Sequence, residues 1–386
     1  MLHARLACAL LVLCIAALST EACGEEDMSA PASGASGADT AGARARIAEF
    51  RKVPEFTPPG PGFDAVRALR GKKIFEIPIT SEVPFVSEVE RGMREAAASV
   101  GAEVVVYENQ GMPTQWAQGI RAAIAQGAAA ITLLAQDPAS LGPQIRQAEE
   151  AGIPVLVLRT NGEGEPCPAD RRGRRYGTAC VPGPFEQAGR LEADWVIGQS
   201  GGDADVLVVT SNDARSTAPL VRGLRAEFRT RCPACDLRFV DVPIPQWARQ
   251  IRGEVESALV RDPGIDYVIP IYDSMSQYVV PALRAGAGRD RVKIATFNGT
   301  PFVLGMLQDA DVVEMDAGEN LSWIGWAAMD QTFRAVAGER PARSEHTPLR
   351  VFDDGNVDDT GRPPAFDRGY GTRFKAAYRQ LWGVEG

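Results

Sequence analysis

Residues that commonly carry enzyme chemistry are scarce in this chain of 386 residues. It has two histidines, His3 and His346, and His3 lies in an apolar N-terminal segment. A Ser-His-Asp or Cys-His device, or a histidine-rich zinc site, would therefore depend on His346, which sits in a polar stretch typical of a surface loop. No P-loop occurs, and no G-x-G-x-x-G or G-x-S-x-G motif follows a predicted strand. The residue types thus predict neither an enzyme nor a bound metal or cofactor.

Four cysteines lie beyond the N-terminal segment, and their even number fits an exported protein with two disulfides. Proximity favours the pairs Cys167–Cys180 and Cys232–Cys235, although four cysteines allow three pairings. Cys232 and Cys235 also have the C-x-x-C spacing of thioredoxin-like redox sites. In those sites the motif opens a helix and the helix dipole lowers the thiol pKa, whereas here the motif follows a helical stretch. We expect two structural disulfides, with a redox site or a metal site as the alternatives for the second pair.

Polar and aromatic residues occur in short segments that each follow an apolar run. These segments contain Ser81, Glu82, Phe85, Gln136, Asp137, Arg159, Asn161, Asn212, Trp247, Tyr272, Asp273 and Asn298. Hydrogen-bonding groups and aromatic rings together suit a small polar ligand held in a cleft. Structural alternatives exist, because Asp137 and Asp273 can cap the helices that follow them. Phe85 and Trp247 can belong to the core, and Asn298 can form a tight turn.

The apolar runs alternate with helical patterns. From Lys72 onward, short apolar strands such as Lys73–Pro78 are separated by amphipathic helices such as Val86–Val100, and the alternation restarts near Phe185. Continuous apolar strands separated by helices indicate parallel sheets that are covered on both faces. Two such series predict an α/β fold of two doubly wound lobes, whose ligands bind beyond the carboxyl ends of the strands.

Composition agrees with this fold and excludes one class of partner. A chain with 45% hydrophobic and 24% charged residues is typical of a folded protein, and its length suits two domains of about 150 residues. The net charge is −9 and no long basic run occurs. Because phosphate binding needs clustered Lys and Arg, no nucleic acid is expected as a partner.

The N-terminus resembles an export signal over residues 1–22. Arg5 precedes an apolar run from Leu6 to Leu18, which is too short to span a bilayer. The next residues resemble the lipobox of bacterial lipoproteins, in which Cys23 would carry the lipid. Residues 23–70 then form a polar segment that predicts a flexible tether. Cleavage after the signal without lipidation, or a retained anchor, are the alternatives.

At the strand ends the sequence resembles the type I periplasmic binding proteins, in particular the sugar-binding branch related to ribose-binding protein. The segments that carry the resemblance are Pro84-Phe85-Val86-Ser87, Gln136-Asp137-Pro138, Tyr272-Asp273-Ser274-Met275 and Phe297-Asn298-Gly299-Thr300-Pro301. The resemblance implies two Rossmann-like lobes that are joined by three crossovers and close on a ligand by a hinge motion. The crossovers would lie near Gly183, near Glu319 and at 338–347.

The implied lobes divide the chain unequally. The N-terminal lobe would comprise residues 71–183 plus 320–345, and the C-terminal lobe residues 184–319 plus 346–386. Phe85 and Trp247 match the family's stacking aromatics. Other positions differ from the family's residue type, with Val86 for a second aromatic, Asn298 for Asp, Tyr272 for Asn, Arg159-Thr160 for an Asp-Arg pair, and Glu319 for Gln. An arginine without its aspartate only donates and is permanently charged, so a carboxylate or aromatic ligand is an alternative to a sugar.

The resemblance implies an extracytoplasmic solute-binding lipoprotein of an ABC importer. We expect a monomer, anchored to the membrane of the cell envelope by lipidated Cys23, that captures a sugar or sugar-like molecule and delivers it to an ABC permease. A receptor that feeds a sensor kinase or chemoreceptor is an alternative, because the same binding domain would serve it. An exported enzyme is disfavoured by the histidine shortage. A LacI-type regulator would carry a helix-turn-helix where this chain has an export signal.

Overall fold

The computed structural model describes residues 37–286, 291–310, 312–342, 345, 347–371 and 373–384. The predicted export signal, Cys23 and His346 lie outside the described residues. Within the described part, no helix is long and apolar enough to cross a membrane.

Parallel strands build two β-sheets. The strands are β1 (Lys73–Pro78), β2 (Glu103–Val106), β3 (Ala130–Leu134), β4 (Val155–Gly162), β5 (Ala179–Gly183), β6 (Asp205–Thr210), β7 (Asp236–Asp241), β8 (Tyr267–Pro270), β9 (Lys293–Asn298), β10 (Val313–Glu319) and β11 (Leu349–Phe352). The first sheet has the order β2-β1-β3-β4-β5 and the second β11-β10-β9-β8-β6-β7. β11 pairs with β10 in the antiparallel direction, and the other pairings are parallel. Both orders are typical of doubly wound folds.

Helices connect and cover the strands. They are α1 (Thr40–Phe50), α2 (Ala65–Leu69), α3 (Pro84–Ser99), α4 (Pro113–Ala125), α5 (Gly142–Glu150), α6 (Phe185–Ser200), α7 (Thr217–Arg231), α8 (Trp247–Arg261), α9 (Ser276–Ala285), α10 (Pro301–Gln308), α11 (Leu321–Ala337) and α12 (Arg373–Leu381). Pro84, Pro113 and Pro301 each open a helix. The fixed φ of proline suits a first helical turn, so these residues set where the chain leaves a strand end and becomes helical.

Each sheet has its own hydrophobic core, and the chain crosses between the two lobes after β5, after β10 and before β11. β5 ends at Gly183 and leads into α6, and β10 ends at Glu319 and leads into α11. A third crossing, over 338–348, joins α11 to β11. The predicted two-lobed α/β fold is therefore confirmed.

The N-terminal segment differs from the tether predicted over residues 23–70. From Thr40 the chain forms α1, which buries Ala43 and Ile47 in the core of the second lobe beside α6. Arg44 fixes this contact by donating to the carbonyl oxygen of Gly198 at 2.8 and 3.0 Å. The following α2 packs in the first lobe. The sequence pattern concealed α1 because most of its apolar residues are alanines, and Ile47 and Phe50 are its only large apolar side chains.

The C-terminal segment also differs from its predicted place in the second lobe. β11 does belong there, but α12 packs into the core of the first lobe. We call the aromatic residues gathered there the terminal aromatic cluster: Phe56, Trp323, Trp326, Phe374, Tyr378 and Trp382. Large aromatic side chains bury much apolar area, so this contact ties the chain's end to the first lobe.

Both disulfides have the pairing that proximity favoured. Cys167–Cys180 closes the loop between β4 and β5, with a Cα–Cα distance of 5.7 Å. Cys232–Cys235 follows the last turn of α7. The C-x-x-C motif therefore stands at the carboxyl end of a helix, the end at which the dipole does not lower a thiol pKa.

Candidate ligand-binding site

The carboxyl ends of strands in both sheets face a common cleft, which encloses a cavity of about 60 Å³. The first lobe contributes residues at or just beyond the ends of β1 and β3, around the start of α3 and within β4. They are Ile79, Val83, Phe85, Val86, Leu134, Ala135 and Arg159. Most of these side chains are apolar, and Arg159 brings a positive charge.

The second lobe and the first crossover supply the opposite wall. Their residues open α6 or α8, or lie at or beyond the ends of β6, β7, β8 and β9. They are Phe185, Ala214, Ser216, Ile244, Trp247, Tyr272, Ser274 and Asn298. Ligands of open α/β sheets bind at this edge of the sheet, so the cleft is the candidate binding site.

Arg159 is held by a buried carboxylate. Its Nη1 donates to Oε1 of Glu319 at 3.0 Å, and its Nη2 donates to Oε2. The side chains are 4% and 0% exposed. Glu319 also accepts a hydrogen bond from Oγ1 of Thr347 at 2.8 Å. The two-pronged pair therefore joins β4 to two crossovers, and it neutralises the charge that Arg159 brings to the cleft.

Burial and ion pairing shift the pKa of the Glu319 carboxyl group in opposite directions. Burial raises the pKa of its carboxyl group, while the Arg159 guanidinium and the hydrogen bonds work to lower it. Removing one partner of such a pair would leave the other charge buried and unpaired, which is strongly destabilising. The pair thus couples two crossovers to the cleft that Arg159 lines.

Aromatic rings shape the rest of the cleft. The guanidinium carbon of Arg159 lies 4.8 Å from the ring centroid of Phe185 and 5.8 Å from that of Phe85. The rings of Trp247 and Tyr272 are stacked, with centroids 6.4 Å apart. Cation–π attraction and ring stacking hold these four side chains around one space.

The polar ends of the two stacked rings are bonded within their own lobe. Nε1 of Trp247 donates to Oγ of Ser211 at 2.7 Å and to the carbonyl oxygen of Val242 at 3.1 Å. The hydroxyl of Tyr272 lies 2.7 Å from Oγ of Ser216 and 2.9 Å from Oγ1 of Thr217. Burial raises the pKa of Tyr272 to about 12, so its hydroxyl stays protonated. These bonds orient the rings and leave little polar capacity for a ligand.

A buried acidic residue organises the turn beside the cleft. Asp273 accepts hydrogen bonds from the backbone nitrogen of Thr300 at 2.5 Å and from its Oγ1 at 2.7 Å. Nδ2 of Asn298 donates to the same carboxyl group at 3.4 Å. Burial raises the pKa of Asp273 to about 6. Asp273 therefore serves the turn at Thr300 rather than capping the helix that follows it, while Asn298 lines the cleft.

Backbone strain gathers at the same place. Ala135, Arg159 and Asn298 line the cleft and have positive φ angles of 72°, 58° and 147°. Residues other than glycine rarely adopt such angles, at a cost of about 1–3 kcal/mol each. Backbone strain of this kind persists only where the surrounding structure fixes it, and such residues often cluster at ligand sites.

Five of the predicted site residues line the cleft: Phe85, Arg159, Trp247, Tyr272 and Asn298. The others lie outside its lining: Ser81, Glu82, Gln136, Asp137, Asn161, Asn212, Asp273 and Glu319. Several of these satisfy local backbone groups instead. Oγ of Ser81 accepts from the backbone nitrogen of Asn109, Gln136 donates to the carbonyl of Ile77, and Asp137 caps Ala139. Asn212 and Glu82 are exposed.

Two ion pairs cross the mouth of the cleft. Nη1 of Arg215 lies 3.5 Å from Oδ1 of Asp137, and Nη2 of Arg222 lies 2.6 Å from Oε1 of Glu165. All four side chains are at least one-third exposed. Each such pair contributes at most about 1 kcal/mol, which suits contacts that form and break as two lobes move.

Sequence reasoning missed the apolar part of the lining, including Phe185, Ile79, Leu134 and Ile244. It searched for polar groups after each strand and assigned apolar ones to the core. Apolar residues directly beyond a strand end, such as Ile244 between two prolines, were the available signal. Among the described residues, no group of His, Cys, Asp or Glu could hold a metal ion.

The fold and the cleft define a two-lobed ligand-binding protein. The sequence matches the periplasmic binding protein domain over residues 75–340, and the chain belongs to this family. Membership implies an extracytoplasmic location. The resemblance to solute-binding proteins of sugar ABC transporters is thereby confirmed.

Individual relatives are distant. The D-ribose/D-allose-binding protein of Pseudomonas aeruginosa is 22% identical over 196 residues, which cover 49% of this chain and 58% of that protein. The alignment thus spans little more than half of that relative.

Solved structures agree on the fold. A solute-binding protein of an ABC transporter from Agrobacterium vitis, bound with α-D-tagatopyranose, has a TM-score of 0.67 at 18% identity, covering 77% of this chain and 99% of that one. The Caulobacter myo-inositol binding protein has a TM-score of 0.67 at 20% identity, covering 76% and 98%.

Proposed function

We propose that this chain is the extracytoplasmic solute-binding component of an ABC importer. It captures one small solute between its lobes, and its relatives' names indicate sugars and polyols as the first classes to test. The observation that carries the proposal is the cleft at the carboxyl ends of both sheets, lined by aromatic rings from each lobe. Sheets of this topology bind their ligands at that edge.

Capture proceeds by hinge closure. Separate cores let each lobe move as a unit, and the crossovers beside Gly183 and Glu319 form the hinge. The ion pairs Arg215–Asp137 and Arg222–Glu165 bridge the mouth in the closed arrangement. A ligand that contacts both walls shifts the population toward this arrangement by its extra affinity for it.

Delivery requires that the protein stay near a membrane permease. In this proposal Cys23 is lipidated after removal of residues 1–22. Residues 24–39 then link the anchor to α1, and at about 3.3 Å per residue they reach roughly 50 Å when fully extended. The predicted tether is thus shorter than the sequence suggested, because the folded part begins at Thr40.

A thermal-shift screen of the exported full chain tests solute capture. The panel contains monosaccharides, cyclic polyols, ring alcohols, carboxylates and amines. A ligand at 100 times its Kd stabilises the folded state by about 2.7 kcal/mol, which raises the melting temperature measurably. Phe85→Ala should weaken a true hit, and Val260→Ala, at a side chain 80% exposed and far from the lining, should not. No hit in the panel, or hits indifferent to Phe85→Ala, would contradict capture in this cleft.

Fractionation tests the anchor. The unaltered chain should sediment with membranes and carry a mass shift on Cys23 after signal removal. Cys23→Ser should release it into the soluble fraction. An unlipidated unaltered chain in the soluble fraction would contradict the anchoring part of the proposal and leave solute capture intact.

A further inference from the structure

The cleft has few polar groups free to bind a ligand. Building on the proposed function, we propose that its preferred solute is a compact, uncharged ring with a mainly hydrocarbon surface and one or two hydroxyl or carbonyl groups.

Most polar side-chain groups of the lining already have partners. The hydroxyls of Tyr272 and Ser216 are bonded to each other. Oγ of Ser274 donates to Asp273 at 3.2 Å, and the indole nitrogen of Trp247 has two acceptors. A ligand hydroxyl placed against these groups would have to displace an existing bond. A ligand hydroxyl left without a partner would lose its hydrogen bonds to water without forming new ones, and this desolvation would weaken binding.

Charge in the cleft is balanced before any ligand arrives. The positive charge of Arg159 is paired on both of its terminal nitrogens with Glu319, and both side chains are buried. A carboxylate ligand would compete with Glu319 for the guanidinium and crowd a second negative charge beside it. A cationic ligand would meet the guanidinium. Both kinds of charged ligand are therefore disfavoured relative to a neutral one.

The remaining surface is apolar, and one polar group stands out in it. Ile79, Leu134 and Ile244 are aliphatic, and Phe85 and Phe185 bring aromatic faces. In the described part of the chain, the side-chain oxygen of Asn298 accepts no hydrogen bond, while its Nδ2 reaches Asp273. This oxygen is placed to accept one hydrogen bond from a ligand hydroxyl.

The size of the cavity points the same way. It measures about 60 Å³, where one water needs about 10–15 Å³. An engineered apolar cavity that binds benzene measures about 150 Å³, so the two walls must move apart slightly to admit even a small ring. A ring admitted in this way gains contact with apolar walls on both sides. A polyol of the same ring size gains the same contacts but loses hydration at each extra hydroxyl.

A matched series of six-membered rings tests this inference by titration calorimetry. Cyclohexanol carries one hydroxyl and myo-inositol six, while cyclohexanecarboxylate and cyclohexylamine carry opposite charges on the same ring. D-Ribose and D-allose represent sugars, and benzyl alcohol is a second neutral probe. We expect cyclohexanol or benzyl alcohol to bind about tenfold or more tightly than every polyol, sugar and charged probe.

Two variants test whether the neutral rings bind in the cleft. Phe85→Ala should weaken binding of the neutral rings about tenfold, and Val260→Ala should leave it unchanged. If neutral-ring binding is indifferent to Phe85→Ala, the inference fails because that ligand binds elsewhere. If a sugar, myo-inositol or a charged ring binds as tightly as the neutral rings or more so, the inference is overturned and solute capture stands. If no probe binds, both the inference and solute capture are contradicted.

Discussion

Aromatic residues gather in two places in this molecule, and they are used differently. In the terminal aromatic cluster the rings contact one another, as Trp326 and Trp382 do at a centroid distance of 5.2 Å and an angle of 9°. In the cleft, Trp247 and Tyr272 are 6.4 Å apart and border open space. Rings that complete a core stabilise the fold, and rings held by their polar ends beside a gap are available to a ligand.

Buried ion pairs differ between the two regions in the same way. Beside the terminal aromatic cluster, Asp330 and Arg334 lie one turn apart on α11 at 2.7 Å, and Asp330 also accepts from Nε1 of Trp382. That pair anchors α12. The pair Arg159–Glu319 instead joins separate elements at the hinge and faces the cleft. The comparison separates groups that hold the fold from groups that shape the site.

The largest expected effect is in the terminal aromatic cluster. Trp382→Ala removes a fully buried side chain and leaves Asp330 without its indole donor. We expect a loss of about 3–5 kcal/mol in the free energy of unfolding, measured by urea denaturation. Ligand affinity of the protein that remains folded should not change. A loss below about 1 kcal/mol would show that α12 is not part of this core.

The next largest loss of stability is expected at the buried ion pair Arg159–Glu319. Glu319→Gln leaves the Arg159 guanidinium buried beside a neutral amide, and we expect a loss of about 3 kcal/mol in urea unfolding. It should also raise the affinity for cyclohexanecarboxylate, because the guanidinium becomes free to pair with a ligand. Arg215→Ala, which breaks an exposed pair at the mouth, is the control and should cost about 0.5 kcal/mol or less. Equal losses for both variants would contradict the special place of Arg159–Glu319.

Buried carboxyl groups in both regions predict how stability depends on pH. Burial raises the pKa of Asp273 from 3.8 to about 6 and raises the pKa of Glu345 beside Tyr378. The folded state then holds protons that the unfolded state has released, so stability falls as pH rises from about 4 through about 6 and beyond. Unfolding free energy should be larger near pH 5.5 than near pH 8, and Glu345→Gln should reduce the difference. A stability that increases over this range would contradict these shifts.

The smallest expected effect is at the polar end of a cleft ring. Tyr272→Phe keeps the ring and removes the hydroxyl that bonds to Ser216 and Thr217. We expect a loss of about 1 kcal/mol in unfolding free energy. Neutral-ring affinity should change little, whereas binding of myo-inositol, if measurable, should improve because Ser216 is freed. A large loss of cyclohexanol binding would show that the hydroxyl contacts the ligand.

Much of the fold was predictable because its signals are local and repeated. Apolar runs such as Val155–Leu158 and Val206–Val209 are buried strands in both lobes. The crossovers were implied by the resemblance to the periplasmic binding proteins rather than by the alternation itself. α1 and α12 were missed because each lies outside that alternation. Their place depends on partners distant in sequence, such as Gly198 for Arg44.

The candidate site was predictable only in part. Position after a strand predicted Phe85, Trp247 and Asn298 as site residues, and all three line the cleft. It could not tell whether a polar side chain turns toward a ligand or back to its own loop, as Asp137 does. Position in the sequence also could not show that Glu319 neutralises the charge of Arg159, because the two residues are far apart in the chain.

The most direct test compares one aromatic ring from each region, Phe85 in the cleft and Trp382 in the terminal aromatic cluster. Cyclohexanol is titrated into the full chain and into its Phe85→Ala and Trp382→Ala variants. The stability of the same three proteins is measured by urea unfolding. The predicted result is opposite behaviour of the two variants. Phe85→Ala should weaken binding about tenfold at a small cost in stability, and Trp382→Ala should cost about 3–5 kcal/mol while its folded fraction binds normally. If Phe85→Ala leaves binding unchanged, or if Trp382→Ala weakens binding as much, the cleft is not the ligand site described.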